Sequence, residues 1–186
     1  MGVVEVPLDV LWGAQTQRAL QHFRFDGAGE AMPLEIVHAL AVIKQAAARV
    51  NGRSGRLAPR QSEAIALAAG EVADGLWDSQ FPLPLWQSGS GTQSNMNVNE
   101  VVANRALVLM GERVGRREIV HPNDHVNLGQ SSNDVVPAAL HLATLTTLNT
   151  ELDPEVDRLL AALDDRSGRW ADVVKVAGPI FKTPPC

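Results

Sequence analysis

Apolar side chains recur at three- and four-residue intervals over most of this sequence, and no stretch alternates as a half-buried strand would, so the chain is constrained to pack helix against helix. Leu34, Val37, Leu40, Ala41, Ala47 and Val50 carry one such stripe behind Pro33, and "NGRSG" breaks it. The segment "LAPRQSEAIALAAGEVADG" repeats the logic, with Pro59 near its start, Ile65, Ala68, Ala69 and Val72 on one face, and Gly75 as the stop. A third helix is predicted from Thr92, as cap, to about Met110, with Met96, Val101, Leu107 and Val108 apolar and Gly111 in the left-handed position after it. A fourth starts at "SSNDVVPAAL", capped by Ser132 or Asn133 with Pro137 in the first turn, and runs to about Thr150; a fifth runs from Pro154 through Trp170.

Size and charge narrow the partners. The 186 residues, 45% of them hydrophobic, suffice for one packed domain and part of another. A net charge of -5 without a basic stripe argues against nucleic acid. No apolar run is long enough to cross a bilayer and "MGVVEVPLDV" lacks the character of a signal peptide, so no membrane association and a cytoplasmic location are expected. The single cysteine, Cys186, offers neither a disulfide framework nor a metal-spaced pair.

Two polar clusters stand at predicted helix starts. In "WQSGSGTQSNMNVNE", Ser90, Gly91 and Thr92 place small hydroxyl donors and a close-approaching backbone where unpaired N–H groups and the helix dipole favour an anion. On that stretch alone a Gly-Ser loop that merely caps a helix explains the residues as well. In "HPNDHVNLGQSSND" the run Ser131, Ser132 and Asn133 repeats the pattern, and two such sites suit a dicarboxylate. His121, Asp124 and His125 are legitimate metal ligands, but their contiguous spacing fits a Pro-Asn-Asp turn with exposed histidines better than a metal site. His22, His38 and His141 fall within or beside helical patterns, where surface or satisfied core histidines are the default.

The stretches "LWGAQTQRALQHF", "FPLPLWQSGSGTQSNMNVNEV", "HPNDHVN" and "QSSNDVVPAALHLA" closely resemble the class II fumarases, the metal-independent fumarate hydratases of the fumarase/aspartase superfamily, nearly to Lys175. The resemblance implies a mainly α fold: an N-terminal helical domain over residues 1–130 and the first helices of a long central bundle over 131–175; residues 176–186, with two adjacent prolines at the terminus, are expected to be an aberrant, disordered tail. It implies reversible hydration of fumarate to malate, with Ser90, Gly91, Thr92, Ser131, Ser132 and Asn133 on the substrate and His121, Pro122, Asn123 and Asp124 in a second dicarboxylate site. It implies no cofactor or metal, and a homotetramer for full-length relatives. An aspartase-like ammonia lyase is the alternative enzyme; a non-catalytic fragment that associates with full-length fumarase is the alternative of another class.

The tail departs from the family. Relatives continue into a Gly-Arg-Thr-His segment and a Ser-Ser-x-Met-Pro-x-Lys-x-Asn-Pro loop that carry the proton-transfer groups, whereas this chain reads "KVAGPIFKTPPC", with Ile180 where the histidine belongs. The expectation is therefore an inactive truncated fragment with no catalytic residue of its own. Back-translated with one added G, the codons for Ala177 to Cys186 can read Gly-Arg-Thr-His-Leu-Gln-Asp-Ala-Thr-Leu in the next frame. A lost nucleotide near the codons for Val176 and Ala177 accounts for that tail.

Overall fold

The structure, a computed structural model, describes residues 2–24 and 31–174, so the expectation for the 176–186 tail lies outside the described residues. Six α-helices follow in chain order: α1 (Ala14–His22), α2 (Leu34–Arg53), α3 (Pro59–Ala73), α4 (Thr92–Leu109), α5 (Ser132–Thr147) and α6 (Asp153–Arg169). Short helical turns occupy Asp78–Gln80, Pro122–Val126 and Leu148–Leu152, the last two wound as π-helix. Among the described residues there is no strand, only an isolated antiparallel bridge between Ala31 and Pro84. The mainly α reading holds.

Helices α2, α3 and α4 form the core, and small residues let them approach closely. Ile65, Ala68, Ala69 and Val72 of α3 are fully buried, as their spacing predicts, against Leu40 and Ala41 of α2 and Val98, Val101, Val102, Ala106 and Leu107 of α4. Gly75 and Gly111 take left-handed φ of 77° and 76° just after α3 and α4, as expected of glycines that end helices. Two faces differ from the expectation. Val50 of α2 is 61% exposed and Val108 of α4 is 42% exposed, while Lys44, Asn51, Asn95, Asn99 and Glu100 are buried. The inward faces of α2 and α4 carry hydrogen-bonding side chains that an apolar count cannot rank.

The helix starts differ in detail too. Thr92 is the first residue of α4 and Gly91, at φ 63°, is its cap, without a capping side chain. Ser132 is the first residue of α5, whose Asp134 and Val135 N–H groups reach the Ser131 carbonyl. Pro137 then lies beyond the first turn, inside the helix. Asn51 and Gly52 continue α2 to Arg53, and the chain turns at Gly55, φ 72°.

The chain divides into two compact units, Met1–Thr146 and Thr147–Cys186. In the second, Pro154 sits in the first turn of α6 as predicted, and Val156, Leu159, Leu160 and Leu163, spaced i, i+3, i+4, i+7, are each more than half exposed. No helix of the described residues is long and apolar enough to cross a membrane.

Candidate functional site

The first polar cluster lies where the sequence places it, at the start of α4. Its hydroxyls form a chain, with Ser90 Oγ 2.9 Å from Thr92 Oγ1 and 3.2 Å from Ser88 Oγ. Gly91 is required twice over: its φ is left-handed, and an added Cβ would stand 2.6 Å from Val136 Cγ1. That close approach seats the start of α5 against the loop. A cavity of about 330 Å³ opens beside it, lined by Thr92, Gln93 and Met96 of α4 and by Arg18, His22 and Phe23. A second cavity, of about 690 Å³ between α2 and α3, touches none of the candidate residues.

A buried polar chain links the second cluster to the first. Asn95, one turn into α4, donates through Nδ2 to Ser132 Oγ at 2.8 Å and lies 3.3 Å from Asn127 Oδ1. Asn127 Oδ1 also accepts from Lys44 Nζ at 2.7 Å, and Gln130 Oε1 accepts from the same nitrogen at 3.0 Å. Lys44 is fully buried, and burial pulls its pKa down to about 7, while the two carboxamide oxygens favour the charged form. Asn95 Oδ1 and both carboxamide atoms of Asn99, one turn further along α4, are buried without a hydrogen-bond partner. Ser90, Gly91, Thr92 and Ser132 are thus drawn together around the starts of α4 and α5; Ser131 and Asn133 flank Ser132 on the exposed side.

The residues His121 to Asp124 form a separate group, joined to the polar chain only through the backbone among the described residues, where Asn127 N–H donates to the Pro122 carbonyl at 3.0 Å. Rather than an open turn with exposed histidines, the segment is a closed π-helical turn. His121 Nδ1 accepts from the Asn123 and Asp124 N–H groups at 3.2 and 3.1 Å, and His125 Nδ1 accepts from His121 N–H at 2.9 Å. In the neutral imidazole this leaves the His121 proton on Nε2. Pro122 is buried, while Asp124, 3.3 Å from His121 Nδ1, is exposed. Burial holds the His125 imidazole below its ordinary value, with the Asp124 charge opposing and His121 adding to the effect. Of the other histidines, His38 Nε2 meets Asp78 Oδ1 at 2.7 Å, a satisfied partner, and His22 and His141 are exposed.

One buried acid escapes sequence reasoning altogether. Glu100 of α4 accepts from the N–H groups of Gly13, Gln15 and Thr16 and from Thr16 Oγ1, at 2.8–3.0 Å, so its carboxylate closes the N-terminus of α1 from over eighty residues away. Nor does sequence reasoning single out Lys44, Asn95 or Asn127. The available signal is the four-residue spacing of Asn95 and Asn99 in "NMNVN", which marks a polar stripe on a helix that also buries Val98, Val101, Val102, Ala106 and Leu107.

The chain belongs to the lyase family, whose model it matches over residues 2–177. Within it, the chain is similar to the class II fumarate hydratases, being 50% identical over 175 residues to that of Brucella suis and 51% identical over 176 residues to that of Prochlorococcus marinus. These matches cover 94% and 95% of this chain but 37% of each relative, so the chain spans little more than a third of their length. The solved class II fumarase of Schistosoma mansoni superposes with a TM-score of 0.88 at 43% identity, over 94% of this chain and 36% of that one. A fumarate lyase:delta crystallin from Brucella melitensis superposes with a TM-score of 0.85 at 39% identity, over 89% of this chain and 37% of that one.

Proposed function

We propose that this chain is the carboxylate-binding portion of a class II fumarate hydratase, the enzyme that interconverts fumarate and malate, and that by itself it binds the dicarboxylate without hydrating it. The observation that carries this reading is the seating of the α5 start against the Gly91 loop, with Asn95 tied to Ser132, so that both sets of hydroxyl donors flank one place. Removing a proton beside a carboxylate builds negative charge on that carboxylate, and preorganised O–H and N–H donors stabilise it more than they stabilise the ground state. Ser90, Gly91 and Thr92 hold one end of the substrate; Ser131, Ser132 and Asn133 contribute from the second loop. His121 through its Nε2–H, with Asn123 and Asp124 on the Pro122 turn, forms a second dicarboxylate site. None of these groups is a base poised to take a carbon-bound proton.

Nuclear magnetic resonance titration of the ¹⁵N-labelled chain with fumarate, malate and aspartate tests the reading. Saturable shifts at the Ser90, Thr92 and Ser132 amides with fumarate and malate, and no loss of fumarate absorbance on incubation, are expected. Preference for aspartate would replace the hydratase with an ammonia lyase, and silence at all three amides would sink the carboxylate site. On the same reading the whole protein assembles as a homotetramer in the cytoplasm, with the exposed apolar stripe of α6 as a natural contact.

A further inference from the structure

We propose that Lys44 acts as a positioning residue: through Asn127 and Asn95 it fixes the direction of a buried hydrogen-bond relay, so that Ser132 Oγ accepts from the protein and keeps its own proton for a substrate carboxylate. The proposal deepens the reading of Ser132 as a carboxylate-binding hydroxyl and rests on it.

The direction follows from donor and acceptor identity at each step. Lys44 Nζ carries hydrogens for two acceptors whether charged or neutral, and it faces Asn127 at 2.7 Å and Gln130 at 3.0 Å. Each carboxamide presents oxygen to it, as the charged amine, a donor only, requires, and both orientations are locked at the far end. Asn127 Nδ2 donates to the Gln130 carbonyl at 3.0 Å, and Gln130 Nε2 donates to the Val126 carbonyl at 2.9 Å. With Asn127 Oδ1 so placed, the Asn95 group 3.3 Å from it has to be Nδ2, and that same Nδ2 meets Ser132 Oγ at 2.8 Å. Ser132 Oγ is the acceptor there, and its hydroxyl proton is directed away from Asn95.

A serine hydroxyl left to itself can donate or accept, and an anion must then select the donating rotamer. A serine whose acceptor role is already filled from inside is preorganised as a donor, which is what a carboxylate requires. The relay is buried at Lys44 and Asn95, each no more than 1% exposed, so water does not compete for those bonds.

The test uses the whole ¹⁵N-labelled 186-residue chain, unmodified and as Lys44→Met, with the Asn95 carboxamide signal and fumarate titration as readouts. If the relay is as drawn, Lys44→Met moves the Asn95 carboxamide signal and weakens fumarate binding about tenfold, the scale of one hydrogen bond to a charged group, with the Ser90 and Thr92 responses still present at saturation. An unmoved Asn95 signal in a folded Lys44→Met chain overturns the proposal, as does unchanged affinity for fumarate. If the unmodified chain does not respond to fumarate, the carboxylate-site reading fails and the substrate part of the proposal with it; the Asn95 signal still decides the relay. Should Lys44→Met not fold, Ser132→Ala removes only the relay's end. It is expected to move the Asn95 carboxamide, and an unmoved signal there overturns the proposal too.

Discussion

Glu100 shows how much one buried carboxylate can organise. Its Oε2 accepts three of the four bonds that hold the α1 start and its Oε1 the fourth, so Glu100→Gln sets an NH₂ group against at least one N–H donor whichever way the amide lies. The expected loss is about 1–3 kcal/mol of unfolding free energy in a denaturant titration. Hydrogen exchange at the Gln15 and Thr16 amides should quicken more than in α2 and α3; equal exchange at those two amides would refute the capping role. Lys44 makes a prediction of another kind. Its folded pKa, about 7, lies below the ordinary 10.5, so over that interval the unfolded chain holds a proton that the folded chain has released. Stability should therefore climb as pH rises from about 7 toward about 10 and fall back as pH drops to 7. Comparing denaturant midpoints across that range for the unmodified chain and Lys44→Met checks it, and the variant's curve should be flatter. A decline of the unmodified chain over the same window, relative to the variant, would reverse the sign.

At the scale of elements, the contact of Gly91 with Val136 joins the start of α4 to the start of α5. Gly91→Ala should cost roughly 1–2 kcal/mol for the left-handed backbone and more for the methyl group driven against Val136. In a Val136→Ala background the second part should vanish and the first remain, so a double-mutant cycle is expected to show coupling; strict additivity would mean that the two elements do not touch there. This pair also marks what was legible in the sequence and what was not. Helices α2 to α6 announce themselves by periodic apolar residues and by Pro59, Gly75, Gly111 and Pro154, which act through their own backbone. Helix α1 does not, because Gly13 brings no capping side chain and the cap comes from Glu100, a long-range contact that no local pattern encodes. The hydroxyls of Ser90, Thr92 and Ser132 were legible as donors at helix starts, since that property belongs to sequence neighbours. That Asn95 and Lys44 stand behind Ser132 was not, because it depends on α2, α4 and the 127–130 loop meeting in space.

At the scale of the whole molecule, α6 has an apolar face out of proportion to its surroundings. Val156 is 53% exposed, Leu159 60%, Leu160 55% and Leu163 58%, and they line one stripe of a 17-residue helix whose other face carries Asp157, Asp164 and Asp165. A helix of this length is marginal in water on propensity alone, and in proteins its stability comes from burying such a stripe. Exposed apolar surface arranged in this way favours association. The chain should therefore associate with itself as concentration rises, and sedimentation velocity over the micromolar range should show a growing fast-moving species. Leu159→Glu with Leu163→Glu puts charge on the stripe and should shift the population toward monomer. Because neither side chain belongs to the buried core of residues 1–146, the unfolding midpoint of that unit should be unchanged. A sedimentation profile that is monomeric at every concentration for the unmodified chain, or one that the two glutamates leave unaltered, would mean that association does not use this face of α6.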